Sequence, residues 1–140
     1  MAPVPHVLLA EDDADIRLLI EITLDSIGLS VEGVPDGAAA LAAAGVREPD
    51  LVLLDVRMPG MDGFEVCRRM RAMPPLQKTP IVMITGLASD HHAATGLRAG
   101  ATDYLVKPFS PREVMHHVVE VIHRHYPARE LPPRARALIA

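Results

Sequence analysis

Asp50-Leu51-Val52-Leu53-Leu54-Asp55-Val56-Arg57-Met58-Pro59-Gly60-Met61-Asp62-Gly63 is the stretch on which the fold turns. An unbroken apolar run ends in a carboxylate, and a turn rich in proline and glycine follows. Leu51 to Leu54 show no polar alternation, so both faces of this strand must be covered, as in a parallel sheet held between helices. Asp55 then stands at the carboxyl end of a strand, the edge at which such sheets bind ligands. Taken alone, the stretch would favour an aspartate that caps a helix or a turn, and the neighbouring segments overturn that preference.

Working outward, His6-Val7-Leu8-Leu9-Ala10 is a second apolar strand, and it stops at Glu11-Asp12-Asp13. From Ala14, the residues Ile16, Leu19, Ile20, Thr23 and Ile27 recur at helical spacing, with Gly28 as a C-terminal cap. Leu29 to Val34 read as a weaker strand, and Asp36-Gly37 opens an alanine-rich helix through Ala44 that Gly45 ends. After the Asp55 turn, Phe64, Cys67 and Met70 mark a helix stopped by Pro74-Pro75. Ile81 to Ile84 form another apolar strand, ending in Thr85. A helix from about Asp90 to Ala99 is capped by Gly100, and Tyr104-Leu105-Val106 leads to Lys107-Pro108. Ser110-Pro111-Arg112-Glu113 combines a capping box with a proline at the first helical position, and its helix should run to about His125. Strand and helix alternate five times. That specifies a doubly wound α/β fold, a five-stranded parallel sheet with helices on both faces, for which the flavodoxin-like order 2-1-3-4-5 is the natural choice.

With 140 residues, 49% of them hydrophobic, the chain can build one compact domain with a sizeable core. Residues 1–126 are assigned to it, and Pro127 with Pro132-Pro133 marks 127–140 as a frayed tail or the start of a linker. A formal charge of -4, from 14 basic and 18 acidic residues, offers none of the basic surface that direct nucleic-acid binding needs. The lone Cys67 cannot form an internal disulfide and reads as a small core residue. No apolar run approaches the roughly twenty residues of a membrane span, and no signal peptide opens the chain, so a cytoplasmic location is expected.

In the order 2-1-3-4-5, the switch point between the first and third strands brings Glu11, Asp12 and Asp55 together. Crowded carboxylates repel each other and are costly to bury unpaired. A hard divalent cation resolves the conflict, and Mg²⁺, which takes a few carboxylate or carbonyl oxygens with water and phosphate, suits this donor set. Lys107 and Thr85, on neighbouring strand ends, could meet further anionic oxygens. The constellation describes a site for a phosphoryl group.

At these residues the sequence closely resembles the receiver domain of bacterial two-component response regulators, over roughly residues 4 to 125. Glu11-Asp12 matches the family's acidic pair, Asp55 its phosphoryl-accepting aspartate, Thr85 its switch hydroxyl, and Lys107-Pro108 its lysine with a cis proline. The segments from Asp55 to Gly63 and from Gly100 to Phe109 resemble the family's two most recognisable stretches. The resemblance implies that Asp55 takes a phosphoryl group from a sensor histidine kinase or phosphotransfer protein. Asp12 would ligate Mg²⁺ directly, Glu11 through water, and Asp55 and the backbone carbonyl of Arg57 would complete the protein ligands. Lys107 and Thr85 would hold phosphoryl oxygens, and Tyr104 would pivot as Thr85 moves. The implied protein is no enzyme beyond catalysing its own phosphorylation and dephosphorylation. Its output would pass through the face of the fourth helix, fifth strand and fifth helix to a downstream protein partner or to an effector domain. A weak homodimer through that same face is a further expectation. Arg57 and Leu87, two residues after Asp55 and Thr85, would modulate the lifetime of the phosphate.

The rival reading is a haloacid-dehalogenase-like phosphohydrolase with Asp55 as nucleophile. Such enzymes need an acid/base aspartate close after the nucleophile, and Arg57 cannot serve as a general acid. A flavin or nucleotide binder of the same fold would want a glycine-rich loop after the first strand, where this chain has acids. The histidine pairs His91-His92 and His116-His117 lack further ligands at zinc spacing. Receivers joined to winged-helix domains often dimerise through a charged network that includes an Asp-Asp-Tyr segment and an arginine on the last helix. Here those positions read Thr102-Asp103-Tyr104 and His117, which weighs against that network.

Overall fold

The computed structural model describes residues 3–86 and 90–140, with the side chains of residues 90–94 outside the description. Five strands, β1 (His6–Ala10), β2 (Ser30–Val34), β3 (Leu51–Asp55), β4 (Ile81–Thr85) and β5 (Asp103–Val106), form one parallel sheet in the order β2-β1-β3-β4-β5. The helices are α1 (Ala14–Asp25), α2 (Gly37–Val46), α3 (Gly63–Arg71), α4 (Asp90–Ala99), α5 (Pro111–His125) and α6 (Pro133–Ala137), with a 3-10 turn at Pro74–Leu76. This is the expected doubly wound architecture.

Burial along the central strands follows from their sequence. Every residue of β1, β3 and β4 is buried, and successive side chains point to opposite faces. Leu51, Leu53, Val82 and Ile84 join the core beneath α1 and α5, whereas Val52, Leu54, Ile81 and Met83 join the one beneath α2 and α3. Each such leucine or isoleucine contributes about 1.5–3 kcal/mol of transfer free energy, so a strand without polar alternation is stable only between two helical layers. The helix starts follow their caps. Asp13 accepts hydrogen bonds from the Asp15 and Ile16 amides, Asp62 from the Glu65 amide, and Ser110 with Glu113 closes a reciprocal box.

The structure differs from the sequence reading at three places. α2 does not end at Gly45 but runs to Val46, because the Arg47 amide still reaches the Ala43 carbonyl at 3.0 Å; one glycine costs a helix about 1 kcal/mol, too little to stop it. Leu19 has the helical spacing of a core residue, yet it lies on the exposed side of α1. Residues 127–140 do not fray. Leu131 and Ala135 are buried in the core beneath α1 and α5, and Leu138 and Ile139 pack against it. Asp50 anchors the segment: Arg129 donates to its carboxylate at 2.8 Å, and the Tyr126 hydroxyl to its backbone carbonyl at 2.7 Å. The apolar positions 131, 135 and 138 have the spacing of a short helix, a signal that the flanking prolines outweighed.

Candidate functional site

Parallel strands leave their last carbonyls and side chains at one edge, and there the sheet brings together residues distant in sequence. β1 lies between β2 and β3, so the loop after Ala10 faces the end of β3, and Asp55 is 4% exposed. Glu11 is fully buried and still belongs to the sheet through its amide, which donates to the Val34 carbonyl at 3.0 Å. Asp12, next along, is exposed. One carboxylate oxygen from each of Glu11, Asp12 and Asp55 lies within 4.8 Å of the others, and this is the grouping among the described residues able to hold a metal ion. The carboxyl of Asp13 points away to cap α1.

Lys107 enters from the end of β5. Its Nζ lies 3.0 Å from Glu11 Oε1 and 3.1 Å from Asp55 Oδ2. The chain returns it to the site through a cis peptide to Pro108, as the resemblance implied, and its amide donates to the Thr85 carbonyl at 2.7 Å. Thr85, buried, ends β4 beside β3, where Asp55 pairs with Ile84. The remaining Asp55 oxygen, Oδ1, accepts from the Arg57 amide at 3.1 Å. Arg57 itself is exposed, Tyr104 is 43% exposed on β5, and Leu87 lies outside the described residues.

Burial, and then the hydrogen bond to the Asp55 carboxyl, push the Glu11 carboxyl up to about 8, against the opposing pull of Lys107. Burial alone would lower the Lys107 ammonium, but its hydrogen bonds to Glu11 and Asp55 prevail and hold it above its ordinary value. Two buried carboxyls therefore compete for a single lysine, which disfavours both being charged at once. An oxygen-only donor set short of positive charge fits a hard dication, and Glu11, Asp12 and Asp55 are the side chains that would hold it.

The floor of the site is set by Gly63, the first residue of α3. A Cβ there would stand 2.3 Å from the Asp55 carbonyl oxygen and 2.9 Å from the Val56 Cα, so only glycine lets α3 start this close to the end of β3. A further contribution that the sequence reading missed is Arg17, whose Nη1 donates to the Glu11 carbonyl at 2.8 Å. The six-residue separation of Glu11 and Arg17 carries no such signal, because it says nothing of where a long side chain turns.

Comparison with known proteins gives consistent findings. The family model described as the response regulator receiver domain matches residues 7–119. Among curated relatives, the chain is 44% identical over 108 residues to the probable transcriptional regulator ycf27 of Galdieria sulphuraria, covering 77% of this chain and 41% of that protein. It is 36% identical over 123 residues to the phosphate regulon transcriptional regulatory protein PhoB of Rhizobium meliloti, covering 88% of this chain and 54% of that protein. The chain thus spans about half the length of the curated relatives it matches. Among solved structures, the chemotaxis protein CheY4 of Vibrio cholerae aligns at 36% identity with a TM-score of 0.81, covering 86% of this chain and 99% of that one. A CheY-like receiver domain protein from Methanospirillum hungatei aligns at 26% identity with a TM-score of 0.83, covering 91% of this chain and 100% of that one.

Proposed function

The chain belongs to the response regulator receiver domain family, and from that premise we propose that Asp55 is the residue that accepts the phosphoryl group. The observation that carries the assignment is the 3.1 Å contact between Lys107 Nζ and Asp55 Oδ2 at the end of the central strand, beside Glu11 and Asp12. A carboxylate oxygen of Asp55 attacks the phosphorus of a phosphohistidine on a partner kinase or phosphotransfer protein. The new O–P bond forms as the P–N bond breaks, and the electron pair leaves with the imidazole, which takes up a proton from water. Lys107 and Thr85 hold phosphoryl oxygens through charge and hydrogen bonding. Mg²⁺, when bound, would neutralise charge that develops on the phosphoryl oxygens. Asp12 and Asp55 would hold it with the Arg57 carbonyl, and Glu11 through water.

The work left to the protein is positioning and electrostatic stabilisation, so a small acyl phosphate can serve as donor. The test is incubation with acetyl phosphate and Mg²⁺. Intact-mass measurement should find one phosphoryl group on the wild-type chain and none on Asp55→Asn, and an equally labelled Asp55→Asn would reject the assignment. The phosphohydrolase reading finds no support, since Arg57 follows Asp55 where an acid/base aspartate is needed and the matched proteins are regulators.

The output is read as protein contact through α4, β5 and α5, reaching either a separate protein or an effector domain. Tyr104 is exposed on that face, and Asp103 is engaged within the chain, 3.5 Å from Arg124 and 3.7 Å from His117. A charged dimer network would have to break these internal contacts, which argues for weak self-association at most. Among the described residues no helix is long and apolar enough to cross a membrane.

A further inference from the structure

We propose that Arg17 is a positioning residue for the acceptor site, which aims the carboxylates of Glu11 and Asp12 at Asp55 by holding the loop that carries them; this rests on the acceptor reading of Asp55. The loop is bounded at Glu11 by the Arg17 side chain and at Asp13 by the first backbone turn of α1. The Arg17 guanidinium Nη1 donates to the carbonyl of Glu11 at 2.8 Å, and the Arg17 backbone amide donates to the carbonyl of Asp13 at 2.9 Å. The Glu11 amide is already committed to the Val34 carbonyl of β2 at 3.0 Å. The residue is therefore tied on both sides, through its N–H to the sheet and through its C=O to α1, and the peptide that leads into Asp12 has little freedom to rotate.

The guanidinium has a second neighbour on α1. Its Nε lies 3.9 Å from Glu21 Oε1, one helical turn further along α1. Glu21 and Arg17 both pack against Gly33 of β2, where a Cβ would meet the Glu21 carboxylate and stand 3.0 Å from Arg17 Cγ. A chain of contacts thus runs from a missing side chain on the edge strand, through Glu21 and Arg17, to the acidic loop. Among the described residues Arg17 contacts no carboxylate of the site, so it acts through the backbone and touches no reacting atom.

The sign of one measurement separates positioning from charge. A nearby cation by itself repels Mg²⁺, so if Arg17 acted only through its charge, Arg17→Met would bind Mg²⁺ more tightly. If it positions the ligand loop, the same variant binds more weakly, by about 10–100-fold, as is typical when a group that orients a metal ligand is lost. Mg²⁺ titration calorimetry of the full chain reads this directly, with thermal unfolding in metal-free buffer as the control for folding. Arg17→Lys, which keeps one donor able to reach the Glu11 carbonyl but loses the planar fork, should recover part of the affinity. Should Arg17→Met fail to fold, Arg17→Gln, neutral and shorter, takes its place, and the same weakening is expected of it. Mg²⁺ bound as tightly as by wild type, or more tightly, in the folded variant overturns the proposal and leaves the acceptor reading standing. A wild-type chain that takes up no Mg²⁺ overturns both.

Discussion

Lys107 Nζ lies 3.1 Å from Asp55 Oδ2 although the two residues are 52 positions apart, and it is 3.0 Å from Glu11 Oε1 as well. One ammonium therefore holds two buried carboxyls at the open end of the sheet. Lys107→Met removes their shared donor, and a hydrogen bond to a charged group is worth about 1.5–3 kcal/mol. A loss of that size is expected in urea unfolding at pH 7 without metal. Phosphorylation of Asp55 by acetyl phosphate should slow in the same variant, read by intact mass over time.

Asp12 behaves differently because it is exposed and adds to the crowding without bonding to Lys107. Asp12→Ala should abolish Mg²⁺ uptake, measured by calorimetry, yet leave the unfolding midpoint in metal-free buffer unchanged or slightly raised by relief of like-charge repulsion. Added Mg²⁺ should raise the midpoint of the wild-type chain, since it binds only the folded state, and leave that of the variant in place.

The phosphoryl group on Asp55 should be slow to leave. Hydrolysis needs a water aligned with the O–P bond, and a side chain able to orient it must accept a hydrogen bond. Arg57, exposed beside Asp55, can only donate, and Leu87 can do neither. Discharge followed in saturating Mg²⁺ should quicken in the double variant Arg57→Asn, Leu87→Glu. Equal rates for wild type and variant would show that some other group positions the water.

His6 opens β1 at the opposite edge of the sheet, buried, with its Nδ1 2.9 Å from Ser30 Oγ. Burial, and next the nearby Arg47 guanidinium, hold its imidazole below the ordinary 6.5 against the smaller pull of Glu32 and Asp50. The folded state therefore takes up this proton less readily than the unfolded chain. Above pH 6.5 neither state carries it and the contribution to stability is complete; as pH falls, the unfolded chain is protonated first and stability declines until the folded-state value has been passed. Urea unfolding between pH 7 and pH 5 should show a steeper loss for wild type than for His6→Gln, and parallel slopes would contradict the assignment.

What the sequence made legible were features with a short-range physical signature. Leu51 to Leu54 without alternation requires two covered faces, and the polar residue closing each strand shares the edge with the others once the strand order is known. That logic brought Glu11, Asp12, Asp55, Thr85 and Lys107 to one place. Features that depend on where a long side chain turns were not legible. Arg71 on α3 carries no signal of its role in the sequence, yet it donates to the carbonyls of Gly100 at 2.8 Å and of Leu76 and Thr79 at 2.6 Å, tying these segments together with no carboxylate partner among the described residues. Arg17 escaped notice for the same reason, and the segment after Pro127 was misread because prolines that punctuate a chain do not prevent it from packing.

The start of α3 against Asp55 has a consequence for how this region tolerates change. The room between Gly63 and the Asp55 carbonyl is smaller than a methyl group, and the atoms that close it belong to backbone and cannot swing aside. A selection experiment that randomised residues 56 to 63 and demanded phosphate uptake should therefore accept varied side chains at the outward-facing Arg57 while returning glycine alone at 63. Even the mildest replacement, alanine, would shift the whole helix and with it the strand end that presents Asp55. The most exacting neighbour of Asp55 is thus a residue with no side chain at all.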